Sequence, residues 1–167
     1  PPDALPSYTA NSLNQYSQRT VPGVIDVTGE AVIGATVSVR LDSGNAFLAN
    51  RHGKYFWQRL DVTNASTIFC ATNLIVSANM PSGTSLLVRT EAQTAILPQT
   101  PELFAWDADG NLAADGLWTN AWDANNRLVA MESGSAVPAA FKQRLAFQYD
   151  YMGRRTVKRA ESGYSGG

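Results

Sequence analysis

The sequence predicts an all-β protein: an antiparallel sandwich followed by a short sheet of hairpins. Strand-length runs of β-branched and aromatic residues recur between residues 21 and 97 at spacings of about ten residues. A second signal is an aromatic-Asp phrase that appears three times between residues 106 and 155. No segment carries a sustained helical period.

Residues 1–20 hold three prolines and scattered Ser, Asn and Gln. Without an apolar period they read as an extended N-terminal arm that either remains mobile or takes its order from another surface. From Val21 the texture changes, and residues 21–97 form the sandwich. Val24 and Val27 open it, and Thr36-Val37-Ser38-Val39-Arg40-Leu41 alternates as a half-buried strand does, with Gly29, Gly34 and Gly44 as punctuation. A basic turn, Asn50-Arg51-His52-Gly53, precedes a strand over residues 54–62. Two more strands are predicted over 67–78 and 85–97, split by a turn at Asn79-Met80-Pro81-Ser82-Gly83. Five to seven such strands make an antiparallel sandwich.

Two prolines in Leu97-Pro98-Gln99-Thr100-Pro101 mark a domain boundary, because neither a helix nor a central strand continues through them. Residues 98–160 then carry the phrases Trp106-Asp107-Ala108-Asp109-Gly110-Asn111-Leu112, Trp122-Asp123-Ala124-Asn125-Asn126-Arg127-Leu128 and Tyr149-Asp150-Tyr151-Met152-Gly153-Arg154-Arg155. In each, an aromatic on an incoming strand is followed by an Asp whose side chain can bond the backbone two residues on. A Gly or Asn then supplies positive φ, and an outgoing strand begins. The copies start sixteen and twenty-seven positions apart, and the longer gap reads as an extended hairpin loop around Glu132-Ser133-Gly134-Ser135-Ala136-Val137-Pro138. Residues 161–167 read as a flexible polar tail.

At 167 residues the chain can bury a real core of about 70% of its unfolded surface. A net charge of -1 and a charged share of only 16% argue against nucleic acid and against an anionic membrane surface. No apolar run reaches the length of a membrane span, and the start lacks a basic-then-apolar leader. The chain begins Pro1-Pro2-Asp3 without Met and is read as a processed product or a piece of something longer. Low charge, many Ser, Thr, Asn and Gly, and one cysteine and one histidine fit an exported bacterial β-protein.

No catalytic, cofactor-binding or metal residue is assigned, and the expectation is a non-enzymatic protein without cofactors. Cys70, between apolar and small residues, reads as a buried small hydrophobe. Gly163-Tyr164-Ser165-Gly166-Gly167 matches the nucleophile-elbow pattern, yet the chain ends where a helix and a later His are required, and His52 lies far upstream. His52 itself reads as a solvated turn residue. Asp107-Ala108-Asp109-Gly110-Asn111 has the alternate carboxylates of a calcium loop, but Trp118 stands where the ligating Glu belongs, so turn stabilisation is the better reading. Trp57, Trp106, Trp118 and Trp122 fill the buried face of a sheet unless two share an exposed face, in which case they make a sugar platform. Arg154, Arg155, Lys158 and Arg159 read as gatekeepers of an edge strand, and Asn64-Ala65-Ser66 matches a glycosylation triplet.

The three phrases, together with Asp115-Gly116-Leu117-Trp118-Thr119 between the first two, resemble the YD repeats of bacterial Rhs proteins over about residues 104–158. Residues 20–97 are similar, less specifically, to the immunoglobulin-like or carboxypeptidase-regulatory-like modules that precede such repeats in large surface proteins. The resemblance implies a secreted or cell-surface protein whose hairpins pack side by side into a spiralling sheet. In complete members of the family many repeats form a hollow shell around a toxic domain. Three copies are too few to close a shell, so the expected function is a structural or adhesive module, with a wall fragment of a larger toxin-enclosing shell as the alternative. Open sheet edges are templates for another strand, and other copies of the chain, joined as a polymer or filament through strand edges and the N-terminal arm, are the expected partners. Surface carbohydrate is a second expected partner; nucleic acid and membrane insertion are not expected.

Overall fold

A computed structural model describes residues 5–163. The chain opens with β1 (Tyr8–Ala10) and β2 (Tyr16–Arg19). Seven strands follow: β3 (Val24–Glu30), β4 (Thr36–Leu41), β5 (Phe47–Leu48), β6 (Asn50–His52), β7 (Tyr55–Asp61), β8 (Phe69–Ser82) and β9 (Ser85–Leu97). After the prolines come β10 (Glu102–Leu103), β11 (Ala105–Trp106), β12 (Leu112–Ala114), β13 (Trp118–Trp122), β14 (Leu128–Ser133), β15 (Gln143–Tyr149) and β16 (Arg155–Ser162). Ala139–Phe141 forms one 3-10 turn, and every strand pairing is antiparallel. The fold is all-β, and no helix among the described residues is long and apolar enough to cross a membrane.

The chain divides into two units. One comprises residues 23–64 and 69–97, a sandwich-like pair of sheets with strand orders β3-β7-β6 and β5-β4-β8-β9. Alternation along each strand sends one set of side chains between the sheets. Val27 from β3 and Phe56 and Leu60 from β7 thus meet Val37 and Val39 from β4 and Leu74 from β8 in one buried cluster. Outside, Arg59 on β7 forks onto Asp26 on β3 at 2.9 and 3.2 Å. Two turns differ from the sequence expectation. Asn50–His52 is strand and the chain reverses at Gly53, where φ is +58°. Asn79–Ser82 likewise continues β8, and the turn is Gly83-Thr84, because Gly83 alone there tolerates positive φ (+60°).

The other unit comprises the described residues up to Pro22, Ala65–Ile68, and those from Pro98 onward. Here the expectation of an extended N-terminal arm gives way: residues 8–19 form a hairpin whose second strand pairs with the chain's own β10, Arg19 opposite Glu102 and Gln18 opposite Leu103. Phe104 separates β10 from β11 and donates its N–H to Ser17 O (3.0 Å). The strands from β11 to β16 continue as a six-stranded meander. The segment read as an arm therefore lies in the same unit as the repeats, and it is tied down because its own turn folds it back. At the other end, Glu161 and Ser162 belong to β16 and not to a tail. Residues 1–4 and 164–167, which include Ser165, lie outside the described residues.

Candidate functional site

One polar arrangement recurs among the described residues: the turn that closes the hairpins. In the turn from Trp106 to Leu112, Asp107 Oδ1 accepts the N–H of Asp109 (3.0 Å) and of Asn111 (2.8 Å). The N–H of Asp107 reaches Asn111 O at 2.9 Å, and Gly110, at φ +85°, returns its N–H to Asp107 O at 3.2 Å. The next two copies repeat this bond for bond. Asp123 Oδ1 takes Asn125 and Arg127, and Asp150 Oδ1 takes Met152 and Arg154, all at 2.9–3.0 Å. Asn126 and Gly153 supply the positive φ (58° and 77°). A one-residue slip in pairing accompanies each turn, between Ala105 and Trp106, Ala121 and Trp122, and Gln148 and Tyr149, the signature of a bulged hairpin.

A fourth copy stands in the N-terminal hairpin, where the sequence reading missed it. Asn11 Oδ1 accepts the N–H of Leu13 and Gln15, both at 3.0 Å. The N–H of Asn11 reaches Gln15 O at 2.8 Å, that of Asn14 reaches Asn11 O at 3.0 Å, and Asn14 has φ +61°. Ala10 replaces the aromatic and Asn11 the aspartate, so only the spacing Asn11-Ser12-Leu13-Asn14-Gln15 remained as a signal. Two asparagines three apart suffice, since an amide oxygen accepts the same two N–H groups and Asn tolerates left-handed backbone.

The copies are also joined to one another. Each aromatic donates its polar hydrogen to the carbonyl of the seventh residue of the preceding copy: Trp106 Nε1 to Tyr16 O (2.8 Å), Trp122 Nε1 to Leu112 O (2.9 Å) and Tyr149 OH to Leu128 O (2.8 Å). Within every turn the second and sixth side chains are bonded as well. Asn11 Nδ2 donates to Gln15 Oε1, Asn111 Nδ2 to Asp107 Oδ2, and Arg127 and Arg154 Nε to Asp123 and Asp150 Oδ2. Asn111 further donates to Asn126 Oδ1 at 2.9 Å, and the Arg127 guanidinium lies 5.0 Å over the Tyr149 ring. These links bind each turn to the next, from the three-stranded sheet into the six-stranded one.

Hydrogen bonds to the charged form hold all three aspartates below the usual carboxylate range. For Asp107 the leading cause is the Asn111 N–H, for Asp123 the Arg127 side chain, and for Asp150 the Arg154 N–H. A carboxylate whose pKa is lower folded than unfolded adds stability above its unfolded value of about 3.9, and that contribution disappears as pH falls through the folded value. The melting temperature of the hairpin unit is therefore expected to drop below about pH 4. The triple variant Asp107→Asn, Asp123→Asn, Asp150→Asn should flatten that drop, since Asn11 already performs the backbone role without titrating. Thermal scans at pH 2.5–7 read this, and an unchanged acid limb in the variant refutes it.

The remaining candidates are scattered. With both its oxygens engaged in the turn, Asp107 is a turn stabiliser, and no group of three or more His, Cys, Asp or Glu among the described residues is placed to hold a metal. Cys70 is half-buried, and desolvation pushes its thiol up. His52 is exposed at the end of β6. Its neighbour Arg51, not singled out in the sequence, clamps the β3–β4 turn by donating to Ala35 O (2.6 Å), Ala31 O (3.1 Å) and Val32 O (3.1 Å). Asn64 is buried, which closes it to a glycan in the folded chain. Trp106 and Trp122 spend their indole N–H groups on the backbone carbonyls of Tyr16 and Leu112, while Trp57 is half-exposed on β7. Arg155, Lys158 and Arg159 are exposed along β16, the outer strand of its sheet, and Arg154 is paired with Asp150. An apolar recess of about 640 Å³ opens in the sandwich unit among Ala31, Val32, Met80, Leu87 and Val88.

No family model matches the chain, and no curated protein is similar to it.

Proposed function

We propose that the chain is a non-enzymatic structural or adhesive module of a secreted or cell-surface protein. It is a hairpin-repeat scaffold of the Rhs/YD type, with an immunoglobulin-like sandwich carried in the connection between its first and second turns, and it assembles with other copies of itself. The observation that carries this reading is the turn repeated four times, with each aromatic bonded back to the preceding copy. Repeats that satisfy one another in this way stabilise by stacking and build extended surfaces. Their polar groups are spent on backbone and on each other, which suits a scaffold better than a reaction centre.

Assembly in this reading uses strand edges alone, since the N-terminal hairpin is engaged with β10. A second reading, a wall fragment of a toxin-enclosing shell, is favoured by β16, a border onto which a further hairpin of a longer chain would stack by the same rule. Negative-stain electron microscopy of the purified chain separates the two. Ordered filaments or small regular oligomers are expected for a self-assembling module, and large hollow particles favour the shell. Uniform monomers at every concentration overturn both. A glycan array tests adhesion to surface carbohydrate, where binding that falls on Trp57→Ala is the expected result and absence of any binding removes the carbohydrate partner.

A further inference from the structure

Among the described residues, β9 has a neighbour, β8, on one side only. At 13 residues it is about twice the usual strand length, and it contains no Pro, Gly or Lys, the residues that commonly blunt such an edge. Leu86, Leu87 and Val88 are 58–59% exposed along it. Its only charges are Arg89 and Glu91, two apart and so on one face, joined at 3.1 Å with side chains 81% and 59% exposed.

We propose that β9 pairs antiparallel with β9 of a second copy, about a two-fold axis through Thr90, to join two sandwiches through one continuous eight-stranded sheet. This rests on the scaffold reading and names the partner and the register. With Thr90 on the axis, Arg89 of each copy faces Glu91 of the other, Val88 faces Ala92, Leu86 faces Thr94 and Leu87 faces Gln93. Opposite charges directly across an antiparallel pair stabilise it, and like charges oppose it. An axis on Glu91 would set two carboxylates face to face, an axis on Arg89 two guanidinium groups, and a parallel pairing would stack Arg on Arg. Axes on Val88 or Ala92 leave both charges without an opposite partner. The strand is thus self-complementary in a single register, and the misplaced alternatives are penalised by the same two residues.

The backbone agrees. The two-residue turn Gly83-Thr84 closes on the Ser82–Ser85 pair, and Leu87 and Arg89 then pair with Met80 and Ala78. Alternation along the ladder directs the N–H and C=O of Ser85, Leu87, Arg89 and Glu91 toward β8, and those of Leu86, Val88, Thr90 and Ala92 toward the open side. The groups left unpaired are the ones that a strand centred on Thr90 would meet.

Sedimentation equilibrium between about 5 and 500 μM, with the full chain, tests the proposal. The expected result is a monomer–dimer equilibrium that Arg89→Glu and Glu91→Arg each weaken at least tenfold, while the double swap R89E/E91R restores it. Thr90→Pro removes one outward N–H and leaves the backbone ladder to β8 in place, losing only the hydroxyl contact with Ser77 on β8 (3.2 Å), and it should abolish dimerisation with the β circular dichroism spectrum intact. A wild-type monomer throughout, which would leave the edge to a different chain, overturns the proposal, as does a double swap as weak as either single reversal. Micrographs keep this apart from the scaffold reading: ordered assemblies that persist in Arg89→Glu sink the β9 contact alone.

Discussion

Replacing Phe56 with alanine is expected to lower the unfolding free energy of the sandwich unit by about 3–5 kcal/mol. Phe56 is 7% exposed and faces the buried cluster formed by Val37, Val39 and Leu74 of the opposite sheet. It also lies directly across from Gly29, and a Cβ added to that glycine would come within 2.7 Å of two ring carbons. The ring fills the space the missing side chain leaves, so the two positions were settled together. Gly29→Ala should consequently destabilise the wild type, and less so in the Phe56→Ala background, where the methyl group has room. Denaturant unfolding of the four proteins measures both effects. A loss below about 1 kcal/mol for Phe56→Ala would mean that the ring is not part of the core.

Arg19→Ala should cost about 2–3 kcal/mol in the hairpin unit and release the N-terminal hairpin. Glu102, only 4% exposed, is ion-paired with Arg19, and its other oxygen takes the N–H of Gly116 at 3.3 Å. Removing the guanidinium leaves a buried carboxylate without its cation, which costs more than the pair contributes. The side chain of Arg19 is 35% exposed, so solvent moderates the loss. Hydrogen exchange is expected to show early loss of protection in residues 8–19, and the Arg19→Ala, Glu102→Ala double variant should be more stable than the sum of the single losses predicts. Strict additivity would show that the pair contributes nothing to docking the hairpin. The geometry leaves no slack at this junction, since a Cβ on Gly116 would sit 2.8 Å from Glu102 Cγ.

The turns were the most legible feature of the chain, because their information is local. Asp at the second position and Gly or Asn at the fifth dictate the bonds that Asp107, Asp123 and Asp150 make, and none depends on distant residues. Strands with one buried face were legible for the same reason, as in Thr36–Leu41, where Val37 and Val39 alternate with polar neighbours. The fourth turn went unread because Asn11 and Asn14 meet the geometric requirement with residues that are common in any loop, and Ala10 lacks the aromatic that draws attention. Arg51 was unread because its role consists of backbone carbonyls brought to it by folding.

By itself the sequence determined that this is an antiparallel all-β protein and where its strong turns fall. These follow from side-chain alternation and from residues that act on neighbours within five positions. Only the tertiary structure decided that residues 8–19 form a hairpin paired with β10 in a three-stranded sheet, that Ala65–Ile68 belong to the hairpin unit and not to the sandwich, and which strands are left as edges. Such pairings join positions more than eighty apart, as Arg19 and Glu102 are, and long-range pairing is set by which surfaces can be buried together, a property that no local pattern records.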